Sequence, residues 1–108
     1  MSASQVARHI LGCCKSMHEF QVFMFGSSLY GVGSDIDILI VGPSGESLSR
    51  LKTELRLAAE EIPLDILCML TEEAEETKFV VREGCVPLAD VAAAERWKTE
   101  LDGQPDLL

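Results

Sequence analysis

The chain has 108 residues, nearly half of them apolar and a quarter charged, which fits one folded domain over residues 1–108 and excludes a disordered tail protein. Its net charge of −9 disfavours nucleic acid as a partner, because phosphate backbones select basic surfaces. No apolar run approaches the roughly 20 residues of a spanning helix, and the N-terminus lacks the basic start and apolar block of a secretory signal.

In chain order, residues 2–19 read as a helix, with Val6, Ile10, Cys13, Cys14 and Met17 at helical spacing and Ser2 with Gln5 as a capping box. "FQVFMF", residues 20–25, reads as a strand. "GSSLYGVGS" follows, a loop with three glycines. "DIDILIV", residues 35–41, is a second strand, stopped by Gly42, Pro43 and Gly45. Residues 47–61 predict an amphipathic helix with Leu48, Leu51, Leu55, Ala58 and Ile62 on one face and an Arg50–Glu54 pair outside. "LDILCML", residues 64–70, is a third strand. Thr71 is expected to cap one glutamate-rich helix that Gly84 closes. A last helix is expected over residues 89–101, with Val91, Ala94, Trp97 and Leu101 inward, before a frayed tail.

The four cysteines form no Cys-x-x-Cys pair, and the two histidines do not complete a zinc set. Reduced, mostly buried thiols in a cytoplasmic protein are the expectation. His9 and His18 read as surface positions on the first helix.

The second and third strands are apolar on both faces except at their starts, where Asp35, Asp37 and Asp65 sit. Side chains alternate along a strand, so Asp35, Asp37, Leu39 and Val41 share a face, as do Asp65, Leu67 and Met69. A strand–helix–strand join is ordinarily parallel, and the short first loop makes the first strand antiparallel to the second. A mixed sheet packed against helices results, an α+β or α/β arrangement. It carries three carboxylates and the Gly26-Ser27 bend to one edge. Such a cluster is self-repelling, and Mg²⁺, which takes oxygen ligands and substrate phosphates together, would relieve it. Gly26 permits close backbone approach to a phosphate, and Ser27, Ser28 and Ser34 add hydroxyls. The loop lacks the Gly-Lys-Ser/Thr ending of a P-loop.

The ordered set of Gly26 and Ser27, "SDIDILIV", and Asp65 in "PLDIL" resembles the signature of the DNA polymerase β-type nucleotidyltransferase superfamily, in particular its minimal nucleotidyltransferase (MNT) branch. The resemblance implies a nucleotidyltransferase fold. It also implies two Mg²⁺ ions on Asp35 and Asp37, with Asp65 holding the catalytic ion and favouring deprotonation of the attacking hydroxyl. Gly26, Ser27, Ser28 and Ser34 would bind the nucleotide. The implied reaction moves a nucleoside monophosphate, AMP from ATP by preference, to a hydroxyl of a protein or small molecule and releases pyrophosphate. MNT proteins are often paired with an all-helical HEPN partner, as antitoxin-like subunits that adenylylate it. The alternative is a non-catalytic subunit of the same fold that binds nucleotide or masks a partner. Homo-oligomers are compatible with either. Many relatives carry a basic residue where "GSSLYG" places Tyr30, which implies weak phosphate affinity or a cation from elsewhere. Arg50, Lys52, Lys78 and Arg82 are the cations within the chain that could substitute, each more simply read as a solvated helix charge.

Overall fold

The computed structural model describes residues 3–26, 29, 35–60 and 62–94. Helix α1 (Ala3–Cys13) leads through a 3-10 turn (Ser16–Glu19) to strand β1 (Gln21–Phe25). Strand β2 (Ile36–Val41), helix α2 (Glu46–Ala58) and strand β3 (Leu64–Met69) follow. Helices α3 (Thr71–Thr77) and α4 (Phe79–Arg82) precede a two-residue strand β4 (Val86–Pro87) and a helix α5, described over 88–94. The sheet order is β3-β2-β1-β4. β1 runs antiparallel to β2 and β4, and β2 runs parallel to β3. This is the mixed sheet expected from the sequence.

Two apolar layers close on the sheet. Alternation sends Ile38 and Ile40 to one face, where they meet Val6 and Ile10 of α1, Leu51 and Leu55 of α2, and Leu88 and Val91 of α5. Each such fully buried aliphatic side chain contributes about 1.5–3 kcal/mol. The opposite face carries Phe23, Leu39 and Val41 and is covered by Ala74 of α3 and by Phe79 and Val80. That second layer is smaller, and coverage is uneven along the strands.

Several boundaries differ from the sequence reading. The first helix stops at Cys13, six residues early, because Glu54 of α2 captures the turn: it accepts hydrogen bonds from the Lys15 N–H (2.9 Å), the Ser16 N–H (3.0 Å) and Ser16 Oγ (2.9 Å). These bonds lower the Glu54 pKa, with the charge of Arg50 a lesser cause, so the expected Arg50 pair is a background field behind a turn-binding carboxylate. Helix α2 ends at Ala58, where the His9 side chain lies 2.9 Å from the Ala58 carbonyl through Nε2, which fixes Nε2 as the donor. Thr71 opens α3 instead of capping it. The cap position is Leu70, whose N–H donates to Glu73 Oε1 (3.0 Å), one half of a capping box.

The single helix expected after Thr71 is two. Thr77 Oγ1 bonds back to the Glu73 carbonyl (2.8 Å), Lys78 takes a left-handed conformation (φ 53°), and Phe79 stacks edge-on against Phe25 with ring centroids 5.4 Å apart. Gly84 (φ 64°) ends α4 as expected. In α5 the inward face is Leu88, Val91 and Ala92, and Ala94 is exposed. The expected face is thus rotated by about one residue, because the helix starts at 88, directly after β4. Ser2, Trp97 and Leu101 lie outside the described residues.

Of the four cysteines, all free, Cys13 is exposed and Cys14 buried, with Cys68 and Cys85 between. Burial, with the nearby Glu54 charge, pushes the Cys14 thiol up to about 11. A thiol reagent at pH 8 should therefore label Cys13 at least tenfold faster than its neighbour, read by peptide mass spectrometry. A second test concerns Glu54. Its depressed pKa means it stabilises the fold above the ordinary glutamate value near 4.5, and that stabilisation is lost as pH falls through the folded-state value. Glu54→Gln should lower the melting temperature at pH 7, and the deficit should close as the pH is taken down to 3.

Candidate functional site

The parallel ladder sets Asp37 directly across from Asp65. On its other side Asp37 stands across from Phe25, the last residue of β1. Gly26 follows Phe25 with φ 73°, a conformation that suits glycine. A Cβ on Gly26 would come within 2.6 Å of Asp37 Oδ2, so the glycine is required twice over: for its backbone and for the space the carboxylate occupies. Asp35 precedes β2 by one residue and, two before Asp37, falls on the same side of the strand.

The acids feel one another. Asp37 is half-buried, Asp35 and Asp65 are exposed. Burial raises the Asp37 pKa most, the Asp65 charge next and the Asp35 charge after that. Above its midpoint an ionised Asp37 is a cost to the fold: a raised carboxyl favours the folded state at low pH and forfeits that advantage as pH rises through the folded-state value. Among the described residues no three His, Cys, Asp or Glu side chains form a ready-made metal cage. Asp37 and Asp65 stand at the same end of the parallel ladder, with Asp35 on the same side.

The three predicted acids and Gly26 are thus brought to one end of one sheet face. Ser27, Ser28 and Ser34, together with Tyr30, lie outside the described residues. Phe25 was missed as a neighbour of the site; the antiparallel register that sets it opposite Asp37 follows from loop geometry, which the sequence leaves open. Of the candidate cations, Arg82 lies over the Phe79 ring (5.7 Å) and pairs with Glu83 (3.4 Å), while Lys78 lines a cavity under α3 and α4.

That cavity, about 620 Å³, lies on the same sheet face at the opposite end, floored by Phe23, Val41, Ala74 and Val80. It is a mostly apolar groove under α3 and α4, and none of the acids lines it.

Asp65→Asn should move the Asp37 carboxyl midpoint down, followed by carboxyl carbon NMR across pH 3–8. Asp35→Asn should move it less, in keeping with the weaker repulsion. An unmoved midpoint in Asp65→Asn would mean that the two carboxylates do not share a field.

A sequence model of the family described as "nucleotidyltransferase domain" matches residues 7–98 of this chain. No curated protein and no solved structure matches it.

Proposed function

The chain belongs to the nucleotidyltransferase domain family, and from that premise we propose that it transfers a nucleoside monophosphate from a nucleoside triphosphate, ATP by preference, to a hydroxyl on a partner. The observation that carries the reading is the Asp37–Asp65 register, with Asp35 on the same side and Gly26 held clear of the Asp37 carboxylate.

The residues fit a hard divalent cation. All three candidate ligands are carboxylates at one end of one sheet face, and their mutual repulsion is felt at Asp37. Asp35, Asp37 and Asp65 would hold Mg²⁺, which when bound supplies charge neutralisation at the transferred phosphoryl group. Gly26 keeps the backbone low beside Asp37, so that a phosphate chain can approach the rim. Ser27, Ser28 and Ser34 are proposed as further phosphate donors. Asp65, the more exposed of the ladder pair, orients the acceptor hydroxyl and accepts its proton as the hydroxyl oxygen bonds to the α-phosphorus. The bond from that phosphorus to the bridging oxygen breaks, and pyrophosphate leaves.

The net charge of −9 suits a basic macromolecular acceptor. A helical protein of the HEPN kind, modified in an antitoxin-like pair, is the proposed acceptor.

Two measurements check this. Titration with Mg²⁺-ATP should shift the backbone amide signals of Gly26, Asp37 and Asp65 at millimolar nucleotide. Incubation with ATP labelled in the α-phosphate and with the product of the neighbouring gene should transfer label to that protein. Asp35→Asn with Asp37→Asn should reduce transfer by roughly a thousandfold, the scale seen when a principal electrostatic group is removed. Nucleotide binding without transfer would favour the non-catalytic alternative, and label transfer that survives the double substitution would refute the proposed chemistry.

A further inference from the structure

The two edges of the sheet are built differently. At one edge β4 is two residues long and contains Pro87, which cannot extend a ladder. At the other, β3 runs for six residues, and among the described residues β2 is its only strand neighbour. β3 has no lysine, no internal proline and one charge, Asp65, on the acid face. Its flanks are partly bare: Leu67 is 38 % exposed and Leu70 42 %. An apolar edge this long without blocking devices is a template for another strand.

The backbone says which groups it offers. The Ile36 N–H donates to the Pro63 carbonyl (2.8 Å) and the Gly42 N–H to the Met69 carbonyl (3.1 Å). Odd-numbered residues of this stretch therefore address β2, and alternation aims the N–H and C=O of Leu64, Ile66 and Cys68 outward. The outward row is bounded at both ends. The Ile62 N–H donates to the Ala59 carbonyl (3.0 Å), and the Leu70 N–H is occupied by Glu73 Oε1.

The grooves beside this edge have opposite charge at opposite ends. Near Leu64 and Ile66, a cavity of about 440 Å³ between β3 and α2 is lined by Arg56. Near Cys68 and Leu70, a cavity of about 150 Å³ is lined by Glu73. An antiparallel copy reverses the ends, so each Arg56 meets the partner's Glu73 about a two-fold axis.

We infer that β3 is the dimer interface of this chain: two copies pair β3 to β3, antiparallel, to form one continuous sheet. Outward groups must face outward groups, so even residues pair with even. The register centred on Ile66 uses Leu64, Ile66 and Cys68 of both copies fully. It also sets Asp65 across from the partner's Leu67, whereas a slip by two toward the N-terminus would oppose the two Asp65 carboxylates. In the dimer the partner's Leu67 walls the acid rim beside Asp65. The net repulsion of two acidic chains is largely screened at 0.15 M salt beyond about 8 Å, while the Arg56–Glu73 pairs act at contact.

Sedimentation velocity on the full chain at 0.15 M salt and 5–200 μM, with circular dichroism as a folding control, tests this. The expected result is a reversible dimer. Arg56→Glu should weaken it at least about tenfold by opposing two acids, and adding Glu73→Lys in the same chain should restore it. Ile66→Pro removes an outward N–H and leaves the β2 ladder intact, and it should also weaken the dimer at least tenfold. A monomer throughout the range overturns the inference, as does a dimer that withstands either single substitution or is not rescued by the charge swap. Because Arg56 and Glu73 lie outside the acid rim, these results stand apart from the outcome for nucleotidyl transfer.

Discussion

The structure turns on a parallel pairing that holds two like charges side by side. Asp37 and Asp65 are opposite partners in the β2–β3 ladder, and four further registered pairs of apolar residues follow them down the strands. The apolar pairs fix the register, because a slip by one would send Ile38 and Ile40 out of the main core. The acids inherit their juxtaposition from that core. Hydrophobic burial thus supplies the free energy that keeps carboxylates together against their repulsion, and the repulsion remains visible in the raised pKa of Asp37.

Uneven coverage of the sheet decides where chemistry can occur. The face toward α1 and α2 is closed along its length by Leu51, Leu55 and Ile10. The other face is closed by α3 and α4 at the Val41 end, where Ala74 packs, and the Phe25–Phe79 stack marks the limit of that cover. Asp37 stands across from Phe25, and Asp65 across from Asp37. Gly26 belongs to this design, since any side chain there would fill the space beside Asp37.

Much of this was legible in the sequence, for identifiable reasons. Strands apolar on both faces announce a buried sheet, the intervening amphipathic helix announces a parallel join, and the acids at both strand starts then have to meet. What escaped was decided by contacts between distant elements. No local pattern shows that Glu54 will seize the turn at Lys15 and Ser16, 39 and 38 residues away, and so shorten the first helix. The break at Lys78 depends on Phe79 reaching Phe25. β4 is too short to leave a periodic signal, yet it sets the phase of the helix that follows. Family membership rests on residues 7–98, which take in most of α1 and all three long strands.

The same ladder that aligns the acids includes, among the described residues, the last strand at one side of the sheet. Under the proposed function Asp65 serves at the rim beside Asp37, and among the described residues β3 is an edge strand. An edge strand is ordinarily protected by charge, proline or distortion, but β3 must also remain apolar on both faces to hold its register with β2. The requirements conflict: lysines in β3 would blunt the edge, but on the acid face they would neutralise the cluster, and on the α2 face they would enter the core. Among the described residues the chain resolves the conflict without altering β3 itself. The Ile62–Ala59 and Leu70–Glu73 bonds limit the exposed ladder to three residues, and the flanking Arg56 and Glu73 set which strand direction is accepted. An edge limited in this way is selective in what it pairs with, and the selectivity lies in α2 and α3, outside the strand whose composition the acids dictate.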